Sequence, residues 1–138
     1  DPDPVTAALR EAREEVGVEA GAVEIVGALP SAHIPRSGFD VTSVVGWWSR
    51  PRLLAPVDTG EIEAVHHVSV ARLLDPENRT TWVHPAGFQG PAFVIGDLYI
   101  WGFTAFLLDG VFDLLEWTQP WDAARTSVIP PRFLSEQL

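Results

Sequence analysis

The stretch from Asp3 to Gly17, "DPVTAALREAREEVG", leaves a folding chain little choice. Asp3 can cap a helix, Pro4 suits its first helical position, and Gly17 supplies a stop. With about 100° of rotation per residue, Val5, Leu9, Ala12 and Val16 fall on one apolar stripe, which must face a core. On the same count Glu11, Glu14 and Glu15 share an arc of about 100°, separate from that stripe. The sequence therefore predicts a helix from Pro4 to Val16 with one side for a core and another crowded with acid.

Crowded acids invite two explanations. Like charges at i, i+4, here Glu11 and Glu15, destabilise a helix by a few tenths of a kcal/mol. A face that merely kept a helix in water would alternate its signs. Arg10 can pair with Glu14 one turn on, whereas Arg13 projects near the apolar edge. Small residues, Ala8 and Ala12, lie between the acids and the stripe and let another segment approach. Oxygen ligands without sulfur or imidazole suit a hard cation such as Mg²⁺ or Mn²⁺. A solvated acidic helix and a metal site both fit the arrangement alone. A di-iron carboxylate helix does not, because no Glu-x-x-His occurs.

Composition narrows the partners. The chain has 138 residues, enough for one domain with its own core, and a net charge of −10. All of its basic residues are arginine. That balance argues against a nucleic-acid partner, whose binding needs clustered positive charge. It permits a phosphorylated small molecule if a metal ion mediates. No apolar run approaches the about 18 residues of a membrane span, so no membrane partner is expected. There is no cysteine, which excludes disulfides and thiolate metal sites and fits a reducing cytoplasm. There is also no methionine, even at position 1, so the chain is expected to be trimmed at its N-terminus.

Beyond the first helix, Val23–Leu29 and Phe39–Ser49 read as strands separated by a loop through Pro30, Pro35 and Gly38. Residues 51–60 read as a loop, Glu61–Val68 as a third strand, and Val70–Leu74 as one helical turn. Arg79–His84 and Ala92–Ile95 read as a hairpin around "HPAGFQGP". Tyr99–Trp117 has helical spacing, and the tail after Trp121 reads as irregular. No repeat or domain boundary is evident, and a single α+β domain over residues 1–138 is the economical account.

"REAREEVG", residues 10–17, resembles the Arg-Glu-x-x-Glu-Glu-x-Gly core of the Nudix box, the signature of the Nudix hydrolases. The preceding "DPDPVTAAL" is similar to the coenzyme A diphosphatase branch, and in that register Asp1 occupies the upstream acidic position. "GDLYIWGFTAFLLDGVFDLL" looks like the Ile-Trp-Gly-x-Thr-Ala segment of the same branch, and "GEIEAVHHVSVARLL" resembles its Glu-Val stretch. The branch usually has Pro and Leu where this chain has Ser69 and Val70. The resemblance implies a Nudix-type α/β/α sandwich with a mixed sheet. It also implies that the box's opening glycine pair and the upstream strands with the branch's coenzyme A signature would precede Asp1.

The resemblance further implies metal-dependent hydrolysis of a diphosphate linkage in a nucleoside diphosphate derivative. Coenzyme A or an acyl-CoA would give adenosine 3′,5′-bisphosphate and 4′-phosphopantetheine. Glu14 and Glu15 would be metal ligands, and Glu11 a third ligand or the base that takes the water's proton. Arg10 would hold a helix carboxylate through a charge-assisted pair. Glu61 is a candidate further ligand, an exposed strand-edge acid being its other reading. Mg²⁺ or Mn²⁺ is the expected cofactor, and a homodimer is compatible with the aromatic content. ADP-ribose or a dinucleotide as substrate, and a non-catalytic Nudix-like module that binds a ligand or partner, are the rival readings. Among the other residues, His66 and His67 on a strand would point to opposite faces. His33, His84, Arg36 and Arg50 could touch a substrate. Trp47 and Trp48 would alternate between faces, and Trp101 reads as core.

Overall fold

The computed structural model describes residues 3–35, 37–60 and 64–136. The chain falls into two compact units, Asp1–His67 and Val68–Leu138.

In the first unit, α1 (Pro4–Val16) forms as its end signals require. The Thr6 backbone N–H donates to Asp3 Oδ1 at 2.8 Å and the Thr6 hydroxyl to Asp3 Oδ2 at 2.9 Å. At the other end Gly17 takes φ 81°, a left-handed conformation that a side chain disfavours. The Gly17 and Val18 N–H groups then close on the carbonyls of Arg13 and Ala12. Two short ribbons follow. β1 (Val23–Ala28) pairs antiparallel with β4 (Val44–Trp48), with an irregularity between Ile25 and Gly27. β2 (Ala32–Ile34) pairs antiparallel with β3 (Phe39–Val41).

The second expected strand, Phe39–Ser49, is thus two strands that use different partners. The chain leaves β2 at Val41 and joins β1 at Val44, and the Leu29 N–H donates to Ser43 O at 2.8 Å between them. Local composition marks the β-branched run but not the change of partner. The segment Ala32–Ile34, read as loop, is a strand for the same reason.

The expected strand Glu61–Val68 is not observed where it is described. Residues 61–63 lie outside the described residues, and 64–69 carry no regular structure. Side chains of this segment instead serve backbone groups of its neighbours. His67 Nε2 accepts the Leu54 N–H at 3.0 Å, and Ser69 Oγ caps the helix that follows.

In the second unit, α2 (Val70–Leu74) leads to β5 (Arg79–Val83), β6 (Gln89–Ile95) and β7 (Leu98–Ile100). Then come α3 (Gly102–Leu114) and β8 (Thr126–Val128). The sheet runs β7-β6-β5-β8, with β5 and β8 parallel and the other pairs antiparallel, so it is mixed. Strand alternation divides two cores. Phe93 and Ile95 pack with Leu73, Ala105 and Phe112 on the helical side. Ala92 packs with Trp82, Tyr99, Trp101 and Ile129 on the other. Trp82 stands opposite Gly90, where a Cβ would lie 2.9 Å from the indole Nε1.

The expected helix over Tyr99–Trp117 begins later, at Gly102. Gly96, at φ 58°, opens a two-residue hairpin turn with Asp97, and Tyr99 pairs with Val94. Glycine at the first turn position is the II′ hairpin signal, and it outweighs helical spacing here. The tail after Trp121, read as irregular, contributes β8. The Arg125 side chain draws it in by donating to the carbonyls of Pro76, Glu77 and Arg79. The α+β class expected from the sequence is observed.

Candidate functional site

The acids of α1 are carried by a helix held at both ends. Its apolar stripe, Val5, Leu9, Ala12 and Val16, is half-buried throughout, while Glu11 and Glu14 are exposed and Glu15 is half-buried. Arg10 stands between the first two acids. Its Nη1 lies 3.3 Å from Glu14 Oε2, and its Nη2 lies 3.9 Å from Glu11 Oε1. At 45–60% side-chain exposure these pairs are screened and contribute a few tenths of a kcal/mol. Their consequence is orientation of Glu14 more than stability. Arg13 turns away to Glu19, at 3.9 Å.

The C-terminal end of α1 is tied to residues 52–58. Val57 N–H donates to Glu15 O at 2.7 Å, with Asp58 N–H at 3.5 Å from the same oxygen. Arg52 Nη2 donates to Gly17 O at 2.8 Å. The last carbonyls of a helix lack partners inside it, so these donors meet a need that every helix end has. The sequence reads 51–60 only as a loop. The signal available was that unmet need, next to an arginine of suitable reach.

An open groove of about 590 Å³ runs along the Arg10–Arg13 flank of α1, bordered by Thr6, Leu9, Glu14 and Ala20. Among the described residues, no three histidine, aspartate or glutamate side chains converge as a ready-made metal cage. Glu61 and Asp1 lie outside the described residues. The donor chemistry still suits a hard divalent cation, being carboxylate oxygen on two successive helical turns.

The Asp3 carboxyl is held below its usual range, chiefly by the Thr6 backbone N–H and then by the Thr6 hydroxyl.

The remaining candidates are scattered. His33 lies in β2, not a loop, and its Nδ1 is 2.9 Å from Asp40 Oδ1. His66 and His67 are off any strand, and His67 holds Leu54 as described. His84 Nδ1 accepts the Ala86 N–H at the β5–β6 turn, beside exposed Phe88. Trp47 is exposed and Trp48 half-buried, the alternation expected of a strand. Trp101 is core, edge-on to Trp82 with its Nε1 donating to Phe133 O. Arg50 is exposed, and Arg36 lies outside the described residues.

Comparison with known proteins places this helix in a family context. Residues 1–88 match the NUDIX domain. A Caenorhabditis elegans protein, "Nudix hydrolase 3", is 41% identical over 69 residues, which are 49% of this chain and 29% of that protein. "Uncharacterized Nudix hydrolase NudL" from Salmonella paratyphi B is 41% identical over 70 residues, 51% of this chain and 35% of that protein. The Salmonella newport protein of the same name matches to the same extent. The chain thus aligns with about a third of the length of these relatives. The match spans more than half of the chain and contains the whole acidic helix: the chain belongs to the NUDIX domain family.

Proposed function

We propose that this chain carries the catalytic helix of a metal-dependent hydrolase that cleaves a diphosphate linkage in a nucleoside diphosphate derivative. The observation that carries the proposal is the acidic arc of α1, with Arg10 set between Glu11 and Glu14 on a helix pinned at both ends. The family match crosses the boundary between the two units, which supports treating both as parts of one Nudix domain.

Glu14 and Glu15 would hold Mg²⁺ or Mn²⁺, with Glu11 a third ligand or the general base and Glu61 a further donor. The bound cation supplies charge neutralisation on the phosphate oxygens and lets a −10 chain accept an anionic substrate. The chain's own residues then have distinct tasks. Arg10 orients the Glu14 carboxylate. Glu11, in its role as base, accepts a proton from water as the water oxygen bonds to phosphorus and the anhydride P–O bond breaks. The small side chains of Ala8 and Ala12 leave room beside the acids.

Coenzyme A or an acyl-CoA is the favoured substrate, supported by the likeness of Ile100, Trp101, Gly102, Thr104 and Ala105 to the coenzyme A diphosphatase branch. The test is a product assay on the protein with and without Mg²⁺. Coenzyme A should yield adenosine 3′,5′-bisphosphate and 4′-phosphopantetheine only with the cation. Cleavage of ADP-ribose to AMP and ribose 5-phosphate instead would keep the chemistry and replace the substrate. Binding of either compound without turnover would contradict the catalytic reading and identify a ligand-binding module.

A further inference from the structure

We infer that Arg52 is a positioning residue for the acidic end of α1, a role that rests on the metal-dependent reading above and deepens it. Its guanidinium reaches back 35 positions to the Gly17 carbonyl, while Val57 of the same segment holds the carbonyl of Glu15. Two donors from one strap therefore fix the peptide groups of a proposed ligand and of the glycine that ends its helix.

The strap is built to deliver them. Arg52 follows Pro51 and Val57 follows Pro56, and each proline locks its own φ immediately before a donor residue. The other anchors are the Leu54 N–H on His67 Nε2 and a turn in which Gly60 N–H donates to Asp58 Oδ1 at 3.2 Å. Without donors, the Glu15 and Gly17 carbonyls would turn to water and the last turn would fray.

Charge points the same way. The C-terminal end of a helix carries a partial negative charge, which a guanidinium there offsets. Arg52 does so while bonded to the Gly17 carbonyl, and the Glu14 carboxylate pairs with Arg10. A cation between helix carboxylates needs their spacing held to a fraction of an ångström, and a fraying last turn relaxes it.

The probe is Mn²⁺ alone, its free fraction followed by electron paramagnetic resonance on wild-type protein and on R52A, R52K and R52Q. Thermal unfolding is measured alongside. The Arg52→Ala change should weaken Mn²⁺ binding by about three- to tenfold, while R52K restores most of it. A purely structural contact would lower the melting temperature and leave Mn²⁺ affinity unchanged. Wild-type affinity in R52A, with Mn²⁺ bound normally by the parent, overturns the positioning role and leaves the metal site standing. No Mn²⁺ uptake by the parent removes both. Should R52A not fold, R52K must still bind more tightly than R52Q, and equal affinities overturn the inference.

Discussion

The backbone N–H of Val57 donates to the carbonyl of Glu15 at 2.7 Å, joining a loop to the helix that carries the acids, 42 positions earlier in the chain. The helix end is therefore not free-standing. Its geometry depends on a segment with no regular structure of its own.

Gly17 sits at φ 81°, and a Cβ there would meet only ordinary contacts with Arg52 and Val57. The strain in Gly17→Ala is thus conformational and not a clash. It should cost about 1 kcal/mol in denaturant unfolding. Mn²⁺ affinity should fall with it, because the carbonyl that Arg52 holds belongs to this residue.

Asp3 makes the N-terminal cap pH-sensitive. Its folded-state pKa is lowered by the Thr6 N–H and hydroxyl, so its stabilising contribution is complete above the unfolded-state pKa. That contribution is lost as pH falls through the folded-state value. Asp3→Ala should lower the melting temperature at neutral pH and flatten its acid-side decline, as read by circular dichroism. An unchanged acid limb would count against the cap.

How much of this was legible in the sequence depends on how local the cause is. The helix Pro4–Val16 was, because Asp3, Pro4 and Gly17 act within a few residues of the ends they define. The β5–β6 hairpin was too, since its turn residues lie between its strands. β8 was not, because Arg125 recruits it through carbonyls 46 to 49 positions away. The Arg52–Gly17 contact escaped for the same reason. Tyr99 lies in β7 and not in the helix because Gly96 turns the chain just before a run whose spacing is also helical. The crowding of Glu11, Glu14 and Glu15 on one arc is legible in the sequence, whereas what holds their helix end is not.

Arg79 is 1% exposed and its Nη2 lies 2.5 Å from Asp109 Oδ1, between the rings of Phe93 and Trp121. Removing one partner leaves a buried charge without its counterion. Asp109→Ala should destabilise by about 3 kcal/mol in urea unfolding. A double replacement, Arg79→Met with Asp109→Leu, should recover much of that loss, since both charges then leave the core together.

Tyr99 donates or accepts at 2.6 Å with Ser127 Oγ, and Ser127 also bonds Thr80 Oγ1 at 3.0 Å. Burial raises the Tyr99 pKa against the opposing effect of Ser127. A raised folded-state value means stability present below the unfolded-state pKa and lost as pH climbs through the folded one. Tyr99→Phe should cost about 1 kcal/mol at neutral pH. It should also weaken the alkaline decline in melting temperature.

The most direct test of the account is calorimetric titration of Mn²⁺ into the wild-type protein and into Glu14→Gln and Glu15→Gln, with folding checked by circular dichroism. Uptake is expected for the wild type and its loss in both folded variants. Equal uptake by all three, or none by the wild type, would contradict it.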